Sequence, residues 1–399
     1  MRTYPKSCQS FPRGIMAANA DAVLGTYSAI MRGSVDFWTG VWSRGDTPLD
    51  VMTDVVTWAG TALRRERPQW AHAHDIVREW PAARLRDFSA ADADPNQVAT
   101  VFLPPQAGHD SSIVDYSAKQ SQVMTARAAG LDRVFSLDWK GATQATKHTT
   151  IDDYMDILAD TAAMLGGRVN LVGDCQGGWL ATIYAAMYPD TVNSLTIAGA
   201  PIDYHAGEPL LHDWVRLLAP DGDMSFYRNV VATHDGLLPG DFLLGGFMAL
   251  QPHNEVDRQL QLLANIGDEA YVARYRQFET WFQWTQALPG DFYLWVVEHL
   301  FMHNELIAGT LQVQGRHADL GDITCPLFLL AGSTDHITPA PQVWALADHT
   351  NTPEGDVMRR LAPGGHLGLF MGTESLREHW RPVFERMATI SGDRTPVPA

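Results

Sequence analysis

Hydrophobic patterning divides the chain into three textures. From about residue 18 to 90 the apolar positions Val23, Tyr27, Ile30, Met31, Trp38, Val41 and Trp42 recur at helical spacing with no competing β-branched alternation, which predicts helix. Such a stripe could dock on a lipid-like surface, but packing against a core is the ordinary use of one. From about residue 97 short apolar runs alternate with helical stretches. Thr100 to Leu103 ends at Pro104-Pro105, Val134 to Leu137 at Asp138-Trp139, Val169 to Val172 at Gly173, and Leu195 to Ala198 at Gly199. The rhythm stops near 203 and resumes after Cys325, with Pro326 to Leu330 and Met358 to Leu361 as the last two runs. Strands alternating with helices predict a mostly parallel sheet covered on both faces, which binds ligands at the carboxyl ends of its strands.

The interval 203–320 is helical in pattern and dense in aromatic residues, among them Trp214, Phe226, Phe247, Trp281, Phe292 and Phe301. An insertion between late strands would sit over the carboxyl ends as a cap, its aromatics forming the cap's own core or lining a greasy cleft. The expected organisation is a helical arm over 1–96, a core over 97–202 and 321–390, a cap over 203–320, and a flexible tail over 391–399.

Composition narrows the classes. With 46% hydrophobic residues in 399 positions the chain can bury a sizeable core. A net charge of −17 excludes nucleic acid as partner, because phosphate binding rests on clustered Lys and Arg. Three cysteines are too few for a disulfide framework or a Cys-rich zinc site and suit a reducing compartment. The amino terminus lacks the continuous apolar run of a secretory signal, and no stretch is long and apolar enough to span a bilayer. A cytoplasmic protein without a transmembrane segment is expected.

The sharpest local signal is Val169 to Val172 running into Gly173-Asp174-Cys175-Gln176-Gly177-Gly178, with a helical stretch behind it. This is the nucleophile-elbow pattern with cysteine in the nucleophile's place. The glycines two residues either side permit the tight turn, and the helix N-terminus favours the attacking thiolate. With 33 Gly and 3 Cys, only about 0.02 matches to Gly-x-Cys-x-Gly are expected by chance, before the strand–turn–helix context is demanded. Cys8 and Cys325 lack that context.

A thiol nucleophile needs a base and the base an orienter, in the chain order nucleophile, acid, histidine. Asp335 follows the Pro326-to-Leu330 run and His366 follows Met358 to Leu361, in Pro363-Gly364-Gly365-His366. Asp335 could also serve as a helix cap ahead of Pro339, and His336 beside it reads as structural. An oxyanion hole calls for the backbone amide of Gln176 and one from the Pro105-to-His109 loop, for which Gln106 is the candidate. His109, able to meet substrate or cap its loop, and Trp179 are the candidate substrate contacts. No His/Asp/Glu spacing resembles a metal cage, and neither a metal nor an organic cofactor is expected.

At these residues the chain resembles two sister families over roughly residues 45 to 385, the intracellular poly(3-hydroxyalkanoate) depolymerases and the poly(3-hydroxyalkanoate) synthases. Both are similar in setting a Cys-Asp-His triad on an α/β-hydrolase core, which by resemblance falls on Cys175, Asp335 and His366. The implied fold is an α/β-hydrolase with a helical cap insertion and an N-terminal helical arm. Gly173 to Gly178, Asn304 to Gly309 and Asp335 to Pro339 look like the synthases. Pro105 to His109, Asp138 to Ala142, Ile151 to Tyr154, Leu288 to Leu294 and Gly365 to Gly372 look like the depolymerases. The synthase run from Pro-Pro-aromatic into Asn and Lys is absent after the early strand, and Gly177-Gly178 stand where depolymerases usually carry proline soon after Cys-Gln. The resemblance implies a thiol-dependent acyl hydrolase that cleaves polyhydroxyalkanoate or related hydroxyacyl esters through an acyl-cysteine. The alternative is a synthase polymerising 3-hydroxyacyl-CoA with the same triad. A catalytically idle granule coat protein is the third reading, against which the complete triad speaks. The expected partners are the polyester or hydroxyacyl ester and the storage-granule surface.

Overall fold

The computed structural model describes residues 13–62, 66–207 and 210–392. Eight strands form its main sheet: β1 (Asp75–Glu79), β2 (Ala83–Asp87), β3 (Ala99–Leu103), β4 (Val134–Trp139), β5 (Val169–Asp174), β6 (Val192–Ala198), β7 (Leu327–Gly332) and β8 (Val357–Ala362). They lie in the order β1-β2-β4-β3-β5-β6-β7-β8. β2 runs antiparallel to both neighbours and all other pairings are parallel. This is the α/β-hydrolase fold. Strands β3 to β7 are buried at every position, as expected of apolar strands covered on both faces.

Two helices open the described chain, α1 (Arg13–Arg44) and α2 (Pro48–Ala62). The sheet is covered by α3 (Gln122–Ala128), α4 (Ile151–Met164) and α5 (Gln176–Met187). Between β6 and β7 come α6 (Leu210–Leu218), α7 (Ser225–Ala232), α8 (Gly240–Leu250), α9 (Pro252–Ala264), α10 (Glu269–Phe282) and α11 (Gly290–Trp295). The last continues into a π-helical segment over Val296–Met302. Four short or terminal helices complete the set: α12 (Glu305–Ala308), α13 (Ala340–Trp344), α14 (His366–Met371) and α15 (Arg381–Ser391).

The structure corrects the expected helical arm in two respects. Residues 75–87 are not helical; they form β1 and β2, extending the sheet on the side of β4. Their Asp-Ile-Val-Arg-Glu and Ala-Arg-Leu-Arg-Asp texture is the charged alternation of a sheet edge, and β1 is exposed along its whole length. Nor does the apolar stripe of α1 pack inward. Ala29, Gly33, Phe37 and Val41 are the buried positions, spaced four apart along the seam with α9. A Cβ at Gly33 would come within 2.4 Å of the Leu260 Cβ, so the close approach of the two helices selects glycine there. Of the anticipated stripe only Val41 is buried; Val23, Tyr27, Ile30, Met31, Trp38 and Trp42 face outward, Trp42 with 79% of its surface exposed. On α2, Leu49, Met52 and Val56 are exposed as well.

Ser391, expected in the flexible tail, is instead part of the fold. It closes α15, is buried, and its hydroxyl accepts from Asn170 Nδ2 at 2.9 Å while donating to the Met387 carbonyl at 2.7 Å. Residues 393–399 and Cys8 lie outside the described residues. Among those described, no helix is long and apolar enough to cross a membrane.

Candidate active site

β5 delivers the chain to Cys175, which turns at φ 50°, ψ −117° into α5, its amide donating to the Ala198 carbonyl at 2.8 Å. A positive φ on a residue with a side chain costs about 1–3 kcal/mol and is held by its surroundings. Here the glycines supply the hold: a Cβ on Gly177 would stand 1.9 Å from the Leu103 carbonyl oxygen, and one on Gly173 2.5 Å from that of Gly177. Helix α5 therefore rests directly on the end of β3, and Cys175 is presented at the carboxyl edge of the sheet.

Asp335 follows β7 and His366 follows β8. Their loops are joined main chain to main chain, Ser333 N–H donating to the Ala362 carbonyl at 2.8 Å and Thr334 N–H to that of Gly364 at 3.1 Å. Asp335 Oδ2 lies 2.7 Å from His366 Nδ1. Asp335 Oδ1 accepts the amides of Ile337 and Thr338, both at 2.9 Å, so the carboxylate caps its own loop with one oxygen and holds the histidine with the other. Cys175 is the other group that acts on the His366 ring.

Burial sets all three groups against solvent, and Cys175 is only 8% exposed. For Asp335 burial favours the neutral acid, but the His366 charge and the hydrogen bonds from His366, Thr338 and Ile337 together hold the carboxyl below its usual range. For His366 burial likewise favours the neutral ring and is outweighed by Asp335 and Cys175, which raise it well above the ordinary imidazole value. The arrangement can receive a proton from the thiol, hold it as imidazolium, and return it to a leaving group.

Of the remaining expected residues, Gln176 is the first residue of α5, where amides lack helical partners. Gln106 sits in the loop after β3; its side chain is buried, with Nε2 donating to the Tyr154 hydroxyl. His109 walls the site but is held by the protein: it stacks on Trp281 at 4.9 Å between ring centroids, and its Nε2 lies 3.1 Å from the Phe282 carbonyl. Burial brings its pKa down to about 4, so it is neutral. Trp179 does not reach the site. It is 1% exposed, packs against Phe292 at 6.1 Å and Trp295 at 6.4 Å between ring centroids, and lines neither cavity at Cys175. Cys325 is half-buried, and desolvation pushes its thiol up to about 12. Among the described residues no cluster of three or more His, Cys, Asp or Glu could hold a metal.

Cys175 opens onto two cavities beneath the cap. The larger, about 510 Å³, is enclosed almost wholly by apolar side chains including Trp214, Phe226, Phe242, Phe292, Tyr293 and Phe301. The smaller, about 350 Å³, lies on the His366 side and carries Gln251, Asn254, Glu255, Arg258, His109 and His336. Phe247 and Ile337 border both. Most of the cap's aromatics thus line a cavity even where they also pack the cap. Tyr204 and Ile337 escape the sequence reading because each stands in a loop after a strand, where no periodicity marks it.

A family model described as "Protein of unknown function (DUF3141)" matches residues 75–391. The chain belongs to the DUF3141 family. This DUF3141 protein is 27% identical to the poly(3-hydroxyalkanoate) polymerase subunit PhaC of Haloferax mediterranei over 373 residues, 84% of this chain and 73% of that one. It is also 27% identical to the subunit of the same name from Allochromatium vinosum over 273 residues, 67% and 74% of the two chains. Among solved structures, the monoacylglycerol lipase of Paleococcus ferrophilus is similar with a TM-score of 0.47 and 17% identity, covering 74% of this chain and 98% of that one. The DUF3141 chain is a synthase-related member of the α/β-hydrolase superfamily.

Proposed function

We propose that this DUF3141 protein is an acyltransferase that takes a 3-hydroxyacyl group from a thioester onto Cys175 and passes it to a hydroxyl at the end of a growing polyester. His366 takes the Cys175 proton as sulfur attacks the thioester carbonyl, and the amides of Gln176 and Gln106 hold the oxyanion. The tetrahedral intermediate collapses to acyl-Cys175, and the departing thiol carries away the proton from His366. The acceptor hydroxyl then loses its proton to His366 and attacks the new thioester, which restores the Cys175 thiol. Asp335 keeps the imidazole in the tautomer and orientation both half-reactions need.

The observation that carries this reading is the apolar cavity opening at Cys175. It suits an acyl chain and gives little lodging to water, which would otherwise discharge the acyl-enzyme. The relatedness to polymerase subunits supports transfer over the hydrolysis expected from the sequence. The smaller cavity supports hydrolysis as a second reading, since its polar walls offer water a way to Cys175. The outward apolar faces of α1 and α2 would suit the surface of a water-insoluble polyester.

Purified protein incubated separately with 3-hydroxyacyl-CoA and with amorphous polyester granules tests the reading. Free CoA accompanied by growing polymer supports transfer. Soluble hydroxy acid from granules, without polymer from the thioester, overturns it in favour of hydrolysis.

A further inference from the structure

The larger cavity is lined mainly by apolar side chains, with Cys175 in its wall. Two groups there are out of keeping with their surroundings. Gln176 Oε1 and the Tyr204 hydroxyl are both shut off from solvent and have no hydrogen-bond partner. Other buried polar atoms lack partners elsewhere in the fold, but among the described residues these are the two whose side chains line the larger cavity. A buried hydroxyl or amide oxygen left without a partner costs about 1–3 kcal/mol, so such a pair beside a nucleophile calls for a ligand to complete it.

Tyr204 is not free to turn away. Its amide donates to Asn304 Oδ1 at 3.0 Å, its carbonyl accepts from Gln342 Nε2 at 3.0 Å, and its ring is packed edge-on against Phe301 at 4.6 Å. Asn304 is itself fixed by donating to Asp203 Oδ1 at 2.7 Å. Burial, reinforced by the neighbouring Cys175, keeps the phenol protonated and available as a donor. Gln176 adjoins Cys175 in the chain, and its side-chain oxygen can only accept.

A donor and an acceptor left open together fit a group that does both, which a free hydroxyl does and an ester oxygen does not. With Gln176 adjoining Cys175 and Tyr204 near enough to feel its charge, their place in a mainly apolar chamber fits a hydroxyl close to the reacting carbonyl, with the rest of the acyl chain extending among the aromatics. We propose that the Tyr204 hydroxyl and Gln176 Oε1 form a subsite that recognises the 3-hydroxyl of the incoming hydroxyacyl group, donating to it and accepting from it. This rests on the acyl-transfer reading and makes these side chains determinants of substrate specificity, distinct from the triad.

The test compares 3-hydroxybutyryl-CoA with butyryl-CoA, which lacks only the hydroxyl, in the full-length wild type, Tyr204→Phe and Gln176→Met. Acylation is read as the burst of released CoA. Wild type should favour the hydroxylated thioester, and Tyr204→Phe should lower kcat/KM for it by about ten- to a hundredfold while changing that for butyryl-CoA by no more than about twofold; Gln176→Met, whose backbone amide also serves the oxyanion, is read only by the ratio of the two thioesters, which should fall by about tenfold or more. A merely structural role would lower both together, and that result, or no preference in the wild type, would overturn the subsite while leaving acyl transfer standing. Release from neither thioester by the wild type would overturn both proposals. Two variants on separate elements guard against misfolding of either; unaltered butyryl-CoA turnover is itself the evidence that Tyr204→Phe is folded, and the thermal melt of Gln176→Met checks the second.

Discussion

Asp335 Oδ2 stands 2.7 Å from His366 Nδ1 while Asp335 Oδ1 is held by two backbone amides, so the orientation of the imidazole is referred directly to the loop after β7. Replacing Asp335 by Asn leaves the shape but lets the amide present a donor to Nδ1, favouring the wrong tautomer. We expect Asp335→Asn to lower kcat by about 10³–10⁴-fold, with KM changed little, as steady-state kinetics of the purified variant will show.

The same pair sets a pH dependence of stability. His366 is raised above its ordinary 6.5, so its contribution is fully present below that pH and is lost as pH rises through the folded value. Asp335 is held below 3.8, so its contribution is present above that pH and is lost as pH falls through the folded value. In thermal melts the Tm difference between wild type and His366→Gln should therefore shrink as pH is raised from 6.5 into the alkaline range. A difference that widens over that interval contradicts the assignment.

At the elbow the prediction is steric. Alanine at position 177 puts a methyl 1.9 Å from the Leu103 carbonyl oxygen, and neither α5 nor β3 can give way without moving the core. Gly177→Ala should cost about 3 kcal/mol of stability, measurable by denaturant unfolding, and should abolish selective alkylation of Cys175. In the folded wild type carrying Cys8→Ser, iodoacetamide should label Cys175 and spare Cys325, whose thiol burial has pushed up to about 12.

Phe247 borders both cavities, so its ring helps limit the length of the acyl chamber. Phe247→Ala should shift preference toward longer acyl chains, each additional buried methylene being worth about 0.8 kcal/mol, or about fourfold in kcat/KM. A series of acyl-CoA substrates of increasing length measures the slope.

The sheet is legible in the sequence where strands are continuously apolar, and Cys175, Asp335 and His366 are legible as candidates because each follows a strand. Sequence reasoning failed at β1 and β2, whose charged alternation on an edge resembles a polar helix or loop, and at α1, where small residues rather than large ones mark the buried seam. Trp179 is not legible because its proximity to Cys175 in the chain does not reveal that Phe292 and Trp295 of the cap pack over it. Tyr204 was missed because its role depends on three side chains, Asn304, Phe301 and Gln342, that only the folded chain brings around it.

The outward face of α1 carries Trp38 and Trp42, neither in contact with the site. If that face meets the polyester surface, Trp38→Glu with Trp42→Glu should abolish sedimentation of the protein with amorphous granules while leaving turnover of a soluble thioester within about twofold of wild type. Retained sedimentation contradicts the assignment of that face.

The central claim is that Cys175 carries the acyl group. Rapid quenching of the wild-type protein with 3-hydroxybutyryl-CoA, followed by mass spectrometry of its peptides, should find the hydroxybutyryl group on Cys175, removable by hydroxylamine, and no such adduct or CoA release with Cys175→Ala. Acylation at another residue, or undiminished CoA release from the Cys175→Ala protein, would contradict it.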